Sequence, residues 1–161
     1  MSNIKQLFVR TDANNIIGNG HFMRCIALAQ GWEKIGGRVT FISTCETEII
    51  INRIKRDGFE FVLLENAYPN VLDLEHTINC IDTSSSTQKY IVLDGYNFDS
   101  DYQKCLKNTL NPLLIIDDIA HLDHYVADII LNQNIIANEL TYSCEPETTF
   151  LLGTDYVLLR D

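Results

Sequence analysis

Apolar residues gather along this chain in short runs of two kinds, and the two alternate. The runs "IKQLFVR" (4–10), "RVTFIS" (38–43), "FEFVLL" (59–64), "KYIVLDGY" (89–96), "PLLIIDD" (112–118), "ADIILNQ" (127–133) and "TFLLG" (149–153) read as strands. Between them the spacing turns helical. Phe22, Cys25, Leu28, Ala29, Trp32 and Ile35 predict one apolar face over about Gly20–Ile35, with Arg24, Gln30, Glu33 and Lys34 mostly opposite and Gly36-Gly37 as the stop. Ser43 and Glu46 are spaced as a capping box for a second helix that Gly58 ends. Val71, Leu74, Ile78 and Ile81 mark a third helix. Asp99 caps a fourth that carries Tyr102, Cys105, Leu106 and Leu110. Strands alternating with helices predict a single α/β domain: a Rossmann-like open, mostly parallel sheet with helices on both faces. The fourth run is nearly continuous in apolar residues, as a strand covered on both sides must be.

Composition narrows the classes of function. The chain has 161 residues, 46% hydrophobic and 21% charged, an ordinary balance for a globular core. Its net charge of −10 argues against nucleic acid, whose phosphates require cationic neutralisation. One nucleotide is still compatible, because a helix N-terminus can hold it locally. No run approaches the ~20 apolar residues of a membrane helix, and the N-terminus lacks the pattern of a signal peptide. The five cysteines, at 25, 45, 80, 105 and 144, form no C-x-x-C pair and read as small buried hydrophobes of a reducing, cytoplasmic protein. The final "LLGTDYVLLRD" ends on apolar residues without a polar tail, which reads as the point where a second domain begins.

In an open parallel sheet, ligands bind beyond the carboxyl ends of the strands. The polar residues there are Arg10, Asp12, Asn14, Asn15 and Gly18-Asn19-Gly20-His21 after the first strand; Asp94, Tyr96 and Asn97 after the fourth; Asp117 and Asp118 after the fifth; and Asn132-Gln133-Asn134 after the sixth. Gly18 and Gly20 permit close backbone approach where a helix N-terminus favours an anion. The turn is not a dinucleotide fingerprint, since Met23 stands in place of the third glycine and no acid ends the second strand. It is not a Walker loop either, since no G-K-[ST] follows. His21, at the first turn of a helix, is biased towards its neutral, base-competent form. A capping or packing role for His21 is the competing reading. Asp117 reads as a turn former. His121 and His124 fall in a loop read as solvated, and His76 on the outer face of a helix.

The stretch "RTDANNIIGNGHFMRCIALAQGW" resembles the opening of the PseG-like family, the UDP-2,4-diacetamido-2,4,6-trideoxy-β-L-altropyranose hydrolases of pseudaminic acid biosynthesis. The family pattern R-x-D-x5-G-x-G-H-x-x-R-x3-L-A is matched by Arg10, Asp12, Gly18, Gly20, His21, Arg24, Leu28 and Ala29. "VLDGYNFDSDYQ", "LLIIDDIAHLDHYVADIILNQN" and "LLGTDYVLLRD" continue it in order, over nearly the whole chain. One local departure is Gly95, where some members carry His.

The resemblance implies a GT-B fold of two Rossmann-like domains, similar to glycosyltransferases of the MurG type. This chain would be the N-terminal domain, with the nucleotide-binding C-terminal domain lying beyond it. It further implies hydrolysis of a UDP-sugar by a soluble monomer with no cofactor and no metal. His21 is then the catalytic base, and Asp12, Gly18, Asn19, Gly20, Arg24, Asp94, Tyr96, Asn97, Asp118 and Asn132 line the substrate. The alternatives are a GT-B glycosyltransferase that uses a sugar acceptor, or a module that binds a nucleotide sugar without turnover.

Overall fold

The computed structural model describes residues 5–12 and 20–160. Seven parallel strands form one sheet: β1 (Lys5–Thr11), β2 (Arg38–Ser43), β3 (Glu60–Leu63), β4 (Gln88–Asp94), β5 (Leu113–Ile116), β6 (Ile129–Asn132) and β7 (Thr149–Leu152). Their order is β3-β2-β1-β4-β5-β6-β7. Among the described residues, four α-helices accompany them: α1 (Gly20–Lys34), α2 (Glu48–Arg56), α3 (Val71–Thr83) and α4 (Ser100–Lys107). The α/β, Rossmann-like reading holds.

Alternation along each strand divides the core in two. Leu7, Val9, Val39, Phe41, Val92, Ile116 and Leu131 pack with Phe22, Cys25, Ile26 and Ala29 of α1 and Ile50 and Ile54 of α2. Phe8, Ile42, Ile91, Leu93, Ile115 and Ile130 pack on the other side with Ile81 of α3 and Tyr102 and Leu106 of α4. The chain reverses its winding direction between β1 and β4, so a crevice opens between their carboxyl ends.

Several local expectations hold, and others are corrected. The Asp99 side chain accepts a hydrogen bond from Tyr102 N at 2.9 Å, the cap read from sequence. At the end of α1, Gly36 takes φ +83°, and the N–H of Gly37 reaches Trp32 O at 3.1 Å. The Ser43–Glu46 capping box does not form. Ser43 is the last residue of β2, its hydroxyl donates to Asp12, and α2 begins at Glu48 behind Thr47. A buried carboxylate nearby is a stronger claimant on that hydroxyl than a solvated helix end. Ile35 and Leu110 fall outside their helices, 70% and 91% exposed. The buried face of α3 is rotated from the apolar one expected: Asp73, Thr77 and Ile81 point inward, while Val71 is 62% exposed. Among the described residues, no helix is long and apolar enough to cross a membrane.

Candidate functional site

β4 carries the site's centre. Val92 faces α1, so Asp94, two residues on, does too. Asp94 is fully buried and accepts from four groups. Arg24 of α1 grips it with both arms, Nε to Oδ2 and Nη2 to Oδ1, each at 2.6 Å. His21 Nδ1 lies 2.5 Å from Oδ1, and Cys25 Sγ donates to Oδ2 at 3.3 Å. His21, Arg24 and Cys25 share one face of α1 because they are three and four residues apart. Both Asp94 oxygens already accept from a guanidinium, so the hydrogen shared with His21 belongs on Nδ1. The Nε2 lone pair of His21 is then free to act as a base. Burial, together with the Asp94 charge, pushes the Cys25 thiol well above its ordinary value. Cys25 is therefore a donor and no nucleophile.

Arg24 also pairs with Asp118, just beyond β5. Burial opposes the guanidinium charge, and Asp94 and Asp118 together outweigh it. The helical pattern had put Arg24 on the polar face, but it is buried between two strand ends. A long charged side chain can lie on an apolar face when partners from other elements meet its charge. Asp118 further accepts from the Tyr96 hydroxyl at 3.0 Å and from Asn134 Nδ2 at 3.2 Å. Burial and then the Asp118 charge push the Tyr96 phenol up to about 12, so it stays protonated and donating at neutral pH. The Tyr96 ring stands edge-on to His21, with centroids 5.0 Å apart.

A second charged network lies on the opposite face of β1. Arg10, buried between strand and α3, donates to Asp12 at 2.6 and 2.8 Å and to Asp73 through Nε and Nη2. Tyr102 donates to Asp73 at 2.7 Å, and Arg10 lies 4.8 Å from the centroid of Phe98. Asp12 also accepts from Ser43 Oγ, Thr44 N and Thr44 Oγ1. Burial alone would raise the Asp12 carboxyl, but Arg10 and Thr44 hold it below the ordinary range. Asp12 is thus already occupied by internal donors. It ties the end of β1 to Ser43 and Thr44 at the end of β2. Sequence reading missed Asp73. Its one signal is that it shares a face with Thr77 and Ile81, four and eight residues on.

The remaining expected residues fall as follows. Gly20 opens α1 and is exposed. Asn14, Asn15, Gly18 and Asn19 lie outside the described residues. Asn132 is fully buried, and its amide is committed to the Tyr142 hydroxyl and Asn134 N. Its neighbour Asn134 reaches Asp118. Asn97 is half-buried, with an Oδ1 that has no partner.

Asp117 is a turn former: Oδ1 accepts from Ile119 N and Ala120 N at 2.8 and 2.7 Å. It also takes Tyr125 Oη at 2.6 Å and lies 2.5 Å from His121 Nδ1. His121 is therefore no solvated loop residue, its side chain being 18% exposed. His124 is exposed against Ser143 and Glu145, and His76 is exposed on α3.

Gly95 explains the departure at the end of β4. It adopts φ +157°, and a Cβ there would lie 2.8 Å from Asn97 Oδ1 and 2.9 Å from the Phe98 ring. Gly95→Ala is expected to destabilise the protein by about 1–3 kcal/mol through backbone strain and overpacking. Thermal unfolding measures this, and an unchanged midpoint would show that the Tyr96 loop shifts freely.

No family model matches the chain. An uncharacterized protein of Methanocaldococcus jannaschii is 21% identical over 97% of this chain and 31% of its own length. The chain therefore spans about a third of that curated relative. Among solved structures, MurG of Acinetobacter baumannii superposes with a TM-score of 0.54 at 10% identity, over 81% of this chain and 41% of that one. At that identity the likeness establishes a shared fold, and that fold is the conclusion the comparisons carry.

Proposed function

We propose that the chain is the N-terminal, sugar-facing domain of a two-domain GT-B enzyme that hydrolyses a UDP-diacetamido-trideoxy sugar at its anomeric carbon. The observation that carries this reading is His21 held on Asp94 at the crevice between β1 and β4. Water attacks the anomeric carbon, His21 Nε2 takes its proton, and the bond to the β-phosphate oxygen breaks with UDP leaving as an anion. A positioned base contributes roughly 10²–10⁴-fold. Arg24 lies between Asp94 and Asp118, and Asp117 stands next to Asp118 in the chain, so carboxylates outnumber the guanidinium around the site. That balance suits the cationic sugar ring of a glycosyl transition state and disfavours a diphosphate in the same place. The diphosphate is better placed at the N-terminus of α1, with most nucleotide contacts from the second domain.

The fold shared with MurG favours one second reading, in which the same base deprotonates an acceptor hydroxyl. UDP release from UDP-2,4-diacetamido-2,4,6-trideoxy-β-L-altrose, measured on the two-domain polypeptide without acceptor, separates the two. Release in water is the expected result; binding without release would make the protein a transferase or a binding module. His21→Ala is expected to lower release by about 10²–10⁴-fold. A loss under about threefold would remove His21 from the chemistry.

A further inference from the structure

A second imidazole faces the site, and the mechanism above does not use it. Burial pushes the Asp117 carboxyl up, yet His121, Tyr125 and two backbone N–H groups together hold it at about 2. Asp117 is thus an acceptor only, and the hydrogen it shares with His121 sits on Nδ1. Nε2 is then the free ring atom of His121. It is buried and has no hydrogen-bond partner. Unpartnered buried polar atoms are rare in native proteins and call for an explanation.

The surroundings supply one. The His121 ring stands edge-on to Tyr96 at 5.4 Å, and His21 stands edge-on to the same ring at 5.0 Å. Two histidines therefore flank one tyrosine, each oriented by an aspartate at the end of a neighbouring strand, β4 for His21 and β5 for His121. Tyr96 is 42% exposed, and its hydroxyl is tied to Asp118. Its ring is the neighbour best placed to turn aside for a ligand. Tyr96 separates His121 from His21, so His121 is not a second base for the same water. The excess of carboxylates makes a phosphate an unsuitable partner, whereas the hydroxyl and amide N–H groups of a sugar are neutral donors.

We propose that His121 Nε2 accepts a hydrogen bond from an O–H or N–H group of the bound sugar, on the far side of Tyr96 from the anomeric carbon, and so helps decide which sugar is taken. This rests on the sugar-nucleotide reading given above. The test is calorimetric binding of UDP-2,4-diacetamido-2,4,6-trideoxy-β-L-altrose, and of UDP alone, to the two-domain polypeptide. His121→Asn keeps an amide N–H where Nδ1 meets Asp117 and deletes Nε2. His121→Gln does the reverse.

The Asn variant is expected to bind the sugar nucleotide about five- to tenfold more weakly, the loss of one hydrogen bond. Its affinity for UDP, its melting temperature and its kcat should stay near wild type, so the defect appears in KM. The Gln variant is expected to keep its sugar-nucleotide affinity even if its melting temperature falls. Wild-type affinity in the Asn variant overturns the proposal, as does equal weakening in both variants, which would make His121 a prop for Asp117. Wild-type protein that binds neither ligand overturns the sugar-nucleotide reading itself, and this proposal with it.

Discussion

Asp94→Asn is expected to abolish most turnover while the fold survives. The asparagine can still accept one N–H from Arg24, but its amide now presents hydrogens of its own. Facing His21, that amide favours the tautomer with the lone pair on Nδ1 and the hydrogen on Nε2. The nitrogen proposed to take a proton then already carries one. The analogous change in the Ser-His-Asp triad lowers kcat by roughly 10⁴-fold through the wrong tautomer. We expect a loss of about 10³–10⁴ in UDP release here. The same change leaves Arg24 with one full carboxylate, Asp118, in place of two. Losing a partner of a buried ion pair destabilises by about 3–5 kcal/mol, and the remaining partner and the retained amide oxygen put this case below that range. Turnover with substrate in excess and thermal unfolding, measured on one preparation, separate the two effects. Activity within about tenfold of wild type would show that Asp94 serves the fold through Arg24 and does not set the state of His21.

Asp73→Ala is expected to give the largest loss of stability. Asp73 has no exposed surface, and it takes hydrogen bonds from Arg10, Tyr102 Oη and Tyr68 N. Its removal strands half of a buried guanidinium and leaves the Tyr102 phenol with Thr77 Oγ1 as its remaining partner. A broken buried pair costs about 3–5 kcal/mol because the remaining charge stays desolvated. For a domain of this size each kcal/mol moves the melting temperature by about 2–4 °C, so a fall of about 10 °C is expected. The consequence reaches the site. Arg10 also holds Asp12 at the carboxyl end of β1, so weaker substrate binding should accompany the loss. A fall below about 3 °C would show that Arg10 finds full compensation in Asp12 alone.

Much of this architecture is legible in the order of residues. Strands and helices declare themselves by period, because a half-buried strand must alternate and a half-buried helix must repeat every three to four positions. Asp99 as a cap and Gly36 as a stop are equally local, since each acts on backbone within a few residues. The sheet's winding follows from right-handed crossovers, and from it the edge where His21, Asp94 and Asp118 gather.

What period cannot reveal is the partner of a charge. Arg24 looks like an outward residue until Asp94 and Asp118, 70 and 94 positions later, arrive to neutralise it. Asp73 looks like a solvated helix residue until Arg10 reaches it across 63 positions. Asp12 and Asn132 read as open to a substrate, and only the fold brings Ser43, Thr44 and Tyr142 onto them as well. His121 reads as a loop residue until Asp117 turns its ring. A buried charge is tolerated only when its desolvation is repaid by specific donors or acceptors, and those come from distant elements. The sequence by itself determined the layers, the edge of the sheet and the residue types present there. Only the tertiary structure decided which of them face one another, because the partners of a buried charge come from elements distant in sequence.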